Sequence, residues 1–226
     1  MGYLDERAGK IHFSLLNRGL RCVSTKDVAE MCKRFHFPQA NVRAVLVRNW
    51  ALAPLFFKGV YYVRDSSELL TNTLPLDAIA VASMACDKRF GRSWYFGLHT
   101  ALKLNGTAGQ QTQPKLYAIV RKQVTPKSRR SAGIEITFSR IKGASSDEGI
   151  MEKNGVRFSD PARTALDFLH LGVKKKDVAY AEAVLEAVLE GADETGYAEL
   201  QRLLPLYSTK KRISEIIRKH EAGKHA

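Results

Sequence analysis

The sequence has little with which to cross-link itself. Its three cysteines, Cys22, Cys32 and Cys86, lack the paired spacing of a zinc site, and their odd number argues against a disulfide framework. Each reads as a small apolar core residue in a reducing compartment. Long apolar runs are missing too. The longest, Ala78 to Cys86, is about half of what a membrane crossing requires. The first ten residues carry charges where a secretory signal needs an apolar stretch. A cytoplasmic chain with no membrane partner is expected. Catalytic signatures are equally scarce: there is no P-loop, no GxSxG, no HExxH and no pair of carboxylates at a fixed spacing. Asp147-Glu148 and Glu152-Lys153 come closest to the acids of a metal nuclease, but they fall in a Gly/Ser-rich loop and a turn. No catalytic residue, cofactor or metal is expected, and a nucleic-acid-processing enzyme stands only as a lesser alternative.

What is present is charge of one sign. With 36 Lys and Arg against 23 Asp and Glu, the 226 residues carry a net +13, which calls for a polyanionic partner such as nucleic acid or an anionic membrane surface. A hydrophobic content of 45% suffices to bury a core, in one large domain or two small ones. The charge is uneven. Residues 1–75 hold 11 basic against 6 acidic side chains, residues 115–145 hold 8 against 1, residues 146–207 hold 7 against 12, and residues 208–226 hold 6 against 2.

The order of signals in the first 65 residues is the most informative feature. Leu4 to Leu20 reads as a helix with Ile11, Leu15 and Leu16 on one face. Ser24 and Thr25 offer N-cap hydroxyls for a short second helix carrying Val28, Met31, Cys32 and Phe35. Pro38 opens a third helix, from about Gln39 to Trp50, with Val42, Val45, Leu46 and Asn49 or Trp50 turned inward. The period then changes: Leu52 to Phe57 and Val60 to Arg64 read as strands joined at Lys58-Gly59. Helix, helix, turn, helix and hairpin in this order is a winged helix-turn-helix arrangement, whose third helix enters a major groove. Residues 1–65 are therefore expected to bind double-stranded DNA. Residues 66–75 are taken as a linker, and residues 76–226 as a mixed α/β domain with a helical C-terminal end. The fold class expected is α+β.

Within that reading head, Gln39 and Asn41 suit adenine, and Arg43 or Arg48 suits guanine or phosphate. Ser24, Thr25 and Lys26 begin a helix whose N-terminus favours phosphate, and Lys58 sits at the hairpin tip. Lys127, Arg129 and Arg130 are candidate additional phosphate contacts. The same groups serve equally as a solvated surface, and a winged helix can instead contact protein. The aromatic set Phe56, Phe57, Tyr61 and Tyr62 reads as core rather than as a base-stacking platform.

In the second part, helices are expected over Leu76–Phe90, Phe96–Leu104, Asp160–Leu171, Lys174–Leu189, Tyr197–Leu204 and Ser208–His220. Strands are expected over Leu116–Lys122 and Ile134–Ile141, with a hairpin at Asn154-Gly155. Arg163 and Asp167, four apart on one helix, can form an ion pair, and the same Arg can instead anchor the domain core or meet a phosphate. Two stretches carry a resemblance. Ser93-Trp94-Tyr95-Phe96-Gly97-Leu98-His99-Thr100-Ala101-Leu102, continuing to Gly106, resembles a "YxSHxSALxLHG" segment of AbiEi-type antitoxins, and Ser159-Asp160-Pro161-Ala162-Arg163-Thr164-Ala165-Leu166-Asp167 resembles that family's "SxPERTLLDLL" segment. The chain departs from the pattern at Gly97, Ala162 and Asn105, where Ser, Glu and His are common. The resemblance covers most of residues 10–172 and draws attention to Tyr95, His99, Arg163 and Asp167. It implies a transcriptional repressor of a type IV toxin–antitoxin, phage-defence system, binding operator repeats. The implied partner is a nucleotidyltransferase-type toxin, which need not form a stable complex.

Overall fold

The computed structural model describes residues 5–71, 77–107, 115–142, 146–190 and 194–224. The chain is α+β, and its contacts divide it into two compact units: Met1–Gly91 with Arg129–Ile134, and Arg92–Ser128 with Glu135–Ala226. The division falls at Gly91 rather than after residue 65, because the helix ending at Phe90 packs on the first unit's strands.

The first unit runs α1 (Glu6–Asn17), β1 (Cys22–Ser24), α2 (Thr25–Arg34), α3 (Gln39–Arg48), β2 (Leu52–Pro54), β3 (Val60–Val63), α4 (Ser66–Thr71) and α5 (Ala78–Phe90). Asp5 caps α1 by accepting the Ala8 N–H at 2.7 Å. Ala8, Ile11 and Leu15 then meet Val28, Met31 and Cys32 of α2 and Val42 and Leu46 of α3 in one core. The strand order is β1-β3-β2, antiparallel throughout, with Cys22 opposite Tyr62 and Ala53 opposite Tyr62 on its other side.

Two expectations change here. Ser66–Thr71, taken as part of a linker, is helical because Asp65 and Glu68 cap each other reciprocally, at 2.9 and 2.7 Å, and Glu68 is buried against Arg21 and Tyr62. Linker residues 72–75 lie outside the described residues. Trp50 does not turn inward: it is 58% exposed at φ 61°, with the Arg64 guanidinium 5.6 Å from its ring. Of the aromatic set expected in the core, Phe56, Phe57 and Tyr62 are buried and Tyr61 is half-buried, and Phe57 meets Phe90 of α5 edge-on at 5.2 Å.

The second unit comprises β4 (Trp94–Phe96), α6 (Leu98–Leu104), β5 (Lys115–Val120), β6 (Ser128–Ser131), β7 (Ile134–Arg140), β8 (Ile150–Lys153), β9 (Val156–Ser159), α7 (Pro161–Lys175), α8 (Ala179–Leu189), α9 (Glu194–Leu203), a 3-10 turn at Leu204–Leu206, and α10 (Lys210–Lys224). Arg129–Ser131 of β6 fall in the first unit by their contacts. The sheet order is β6-β7-β5-β4-β9-β8, with β5 parallel to β7, β4 parallel to β9, and antiparallel pairs at β4–β5 and β8–β9. Trp94–Phe96, whose last residue was assigned to a helix, is a wholly buried strand between two partners. The single helix expected over Lys174–Leu189 is broken at Lys176, which adopts φ 59°. Gly172 permits that reversal, since a Cβ there would lie 2.8 Å from the Asp177 carbonyl oxygen. Among the described residues no helix is long and apolar enough to cross a membrane.

Candidate nucleic-acid interface

The start of α2 is tied to the hairpin tip. Ser24 accepts the Asp27 N–H at 3.2 Å while the Asp27 carboxylate accepts the Ser24 N–H at 2.6 Å, a complete capping box. The Thr25 N–H and hydroxyl both donate to the Gly59 carbonyl, at 2.7 and 3.3 Å. Gly59 has φ +80°, and a Cβ on it would stand 2.7 Å from Thr25 Oγ1, so only glycine fits this junction. The hydroxyls of Ser24 and Thr25, expected to face phosphate, are thus engaged within the unit. The Asp27 carboxylate occupies the helix N-terminus and pairs with Lys88 at 3.0 Å. Burial raises its pKa, but hydrogen bonds from Ser24 and Lys88 outweigh that and hold it below the usual range. Lys26 and Lys58 each lie one residue from the Thr25–Gly59 junction and both are exposed, so two cations share one edge.

On α3 the sequence Gln39–Arg48 contains no acid, and only Val42 and Leu46 are fully buried. Asn41 and Arg48 are exposed; Gln39 and Arg43 are half-buried. Three cations of this unit have carboxylate partners. Lys10 pairs with Glu6, Arg21 with Asp65 and Glu68, and Lys88 with Asp27. Among the described residues no carboxylate pairs with Lys26, Arg43, Arg48 or Lys58. Of the basic connector, Arg129 donates to the Phe56 carbonyl at 3.3 Å and lies 5.4 Å from the Phe57 ring, and Ser131 donates to the Pro54 carbonyl at 2.9 Å. Arg130 is exposed within the same unit, whereas Lys127, also exposed, belongs to the second.

In the second unit three of the four motif residues converge. Tyr95 of β4 donates to the Asp167 carboxylate at 3.0 Å, and Tyr207 donates to its other oxygen at 2.7 Å. Arg163 lies 4.8 Å from the Tyr95 ring and donates from Nε to the Tyr95 hydroxyl at 3.4 Å. The expected Arg163–Asp167 ion pair is therefore not formed directly; the Tyr95 hydroxyl stands between them. Burial dominates the protonation of this cluster: it pushes Asp167 up to about 6, against the opposing pull of Arg163 and the two tyrosines, and raises both tyrosines well above their ordinary range. Tyr207 was not foreseen, since nothing in the local sequence ties it to a residue 40 positions earlier. His99 stands apart from the network, with the rings of Tyr117, Phe168 and Tyr180 centred 5.1, 5.1 and 5.5 Å away, and burial lowers its pKa.

No family model matches the chain, and no curated protein does. The structure is similar to the crystal structure of the RV2827C protein from Mycobacterium tuberculosis, with a TM-score of 0.58 and 12% identity over 96% of this chain and 82% of that one. At that identity the likeness is one of fold.

The acidic residues singled out in the sequence meet arginines. Asp147 pairs with Arg157 at 2.5 Å, Glu148 with Arg202 at 3.0 Å, and Glu152 with Arg92 at 3.1 Å. Among the described residues no group of three or more His, Cys, Asp or Glu is placed to hold a metal ion. The three cysteines are buried thiols, and burial pushes Cys22 up to about 12.

Proposed function

We propose that the first unit is a winged helix-turn-helix module that binds double-stranded DNA, with α3 in the major groove and the Lys26–Lys58 edge against phosphates. One observation carries this reading: among the described residues Lys26, Arg43, Arg48 and Lys58, on the α2 start, α3 and the hairpin tip, have no carboxylate partner, and α3 itself contains no acid. A surface left with uncompensated charge gains most from releasing the counterions condensed on a duplex. Asn41 and Gln39 are the groups for base edges, Arg43 and Arg48 for guanine or phosphate. Ser24 and Thr25 act by positioning, since their hydroxyls are engaged internally.

The resemblance to AbiEi-type regulators extends this to a repressor of its own operon and an antitoxin opposing a nucleotidyltransferase-type toxin. It is supported by the packing of the two resembling stretches: Phe96 pairs with Phe158, Asn105 donates to the Ser159 carbonyl at 3.0 Å, and Tyr95 meets Arg163 and Asp167.

The test is binding to the DNA upstream of its own gene across a salt series. Arg43→Ala and Arg48→Ala are each expected to weaken binding, and a lost phosphate contact lowers the salt slope by about 1. If both variants keep wild-type affinity and slope, α3 is not the reading element and a protein-contacting role is the better account. The antitoxin reading fails separately if co-expression does not relieve toxicity of a neighbouring nucleotidyltransferase.

A further inference from the structure

The loop Ser146–Gly149 is gripped by three arginines from three different elements of the second unit. Arg163 of α7 donates from Nη1 to the carbonyls of Ser146, at 2.9 Å, and Glu148. Arg157 of β9 donates from Nη2 to Asp147 Oδ1 at 2.5 Å. Arg202 of α9 donates to Glu148 Oε2 at 3.0 Å while also holding Glu199. The loop thus presents two carboxylates and two carbonyl oxygens to three guanidinium groups.

The fit is incomplete in a specific way. Arg157 is only 5% exposed, yet its Nε and Nη1 have no hydrogen-bond partner among the described residues. Asp147 satisfies one nitrogen of the three, through one oxygen, and its own side chain is 67% exposed. Leaving buried donors unpaired is costly, and an exposed carboxylate bound through one oxygen recovers little of that cost. Arg163 is 1% exposed, and the Tyr95 hydroxyl stands between its guanidinium and the Asp167 carboxylate. A tetrahedral anion with three acceptor oxygens per group suits guanidinium forks better than this single carboxylate does.

We propose that Arg157, Arg163 and Arg202 form a binding site for a compact polyphosphate, such as the phosphate chain of a nucleotide, and that Asp147 and Glu148 occupy it as an internal anion in its absence. Gly149 fixes the end of the occupying arm. It has φ +68°, its carbonyl accepts the Asp160 N–H at 2.9 Å, and a Cβ on it would lie 3.0 Å from Arg163 Cβ and from Leu203 Cδ1. The arm carrying both acids therefore ends at an anchored glycine packed on α7 and α9, and among the described residues displacement by ligand concerns Ser146 to Glu148. This site is independent of the DNA-binding reading.

Calorimetric titration of the full chain with inorganic tripolyphosphate, at constant ionic strength, tests it. The exposed double variant Asp147→Asn/Glu148→Gln is expected to bind at least tenfold more tightly than wild type. Neutralising two exposed acids of α8, Glu182→Gln/Glu186→Gln, is expected to change affinity less than twofold. Arg202→Gln, at a half-exposed position, is expected to weaken binding about fivefold with an unchanged unfolding midpoint. The proposal is overturned if the loop variant gains no more than the α8 control, or if Arg202→Gln binds as wild type does, because tripolyphosphate then binds elsewhere on a basic chain. Arg157→Gln should abolish binding; should that variant not fold, the loop variant and Arg202→Gln still decide.

Discussion

Asp167 and His170 stand nearly one turn apart on α7, both buried, and their protonation pulls stability in opposite directions. Burial, aided by Lys174, depresses His170 from 6.5 to about 4; its Nδ1 lies 2.7 Å from Thr209 Oγ1, and Nε2 has no partner among the described residues. A neutral ring donating from Nδ1 leaves only a bare lone pair buried, the cheaper of the two tautomers. Because the folded value is lower than the unfolded one, this contribution is complete above pH 6.5 and is lost as pH falls towards 4. Asp167 is the reverse: its folded value, about 6, exceeds the ordinary 3.8, so its burial cost is relieved as pH falls from 6 to about 4. Each effect is on the order of 3 kcal/mol at 1.36 kcal/mol per unit, so they largely cancel. Asp167→Asn should therefore lose stability relative to wild type between pH 6 and 4, whereas His170→Phe should gain. Melting temperatures across that range check both, and flat difference curves would show the cancellation to be absent. Gly97 is a third informative residue: a Cβ there would lie 2.5 Å from Ile119 Cγ1 and 3.3 Å from Asp167 Oδ2. Serine, common at this place in the resembling family, is expected to cost about 1–3 kcal/mol here through overpacking, read as a lowered urea midpoint.

At the scale of elements, the α2 start and the hairpin tip behave as one piece. Ser24→Ala removes half of the capping box and should cost about 1 kcal/mol without changing the salt slope of DNA binding. Gly59→Ala introduces a side chain at φ +80° against Thr25 and should separate the tip from α2. On the proposed reading it weakens DNA binding more than Ser24→Ala at matched stability, and equal losses would remove the hairpin tip from the interface. The helices were legible because their apolar residues recur every three to four positions: Val28, Met31 and Cys32, or Val42 and Leu46, announce a buried face by themselves. The strands β1 and β4 were not, since three residues show no period and Trp94–Phe96 is buried throughout. The helix at Ser66–Thr71 did have a signal, Asp65 three residues before Glu68, but without an apolar face beside it the pair reads as a loop.

The whole molecule redistributes the charge. With α5 and Arg129–Ile134 included, the first unit holds 15 Lys and Arg against 8 Asp and Glu, so it carries +7 of the net +13. On the proposed DNA-binding reading, Arg130→Ala is expected to reduce the salt slope of binding by about 1. The same loss on Lys127→Ala would extend the footprint to the second unit, and no loss on either would confine it to α2, α3 and the hairpin tip. The sequence alone determined the helical periods, the turn chemistry at Lys58-Gly59 and Asn154-Gly155, the scarcity of cross-links and the excess of basic side chains, because each depends on neighbours within a few residues. Tertiary structure decided what the side chains do. It brought Tyr95, Arg163, Asp167 and Tyr207 together, engaged Ser24 and Thr25 internally, and set three arginines around Ser146–Gly149. Those outcomes depend on pairings across tens of residues and on burial from several elements at once, and no local pattern encodes either.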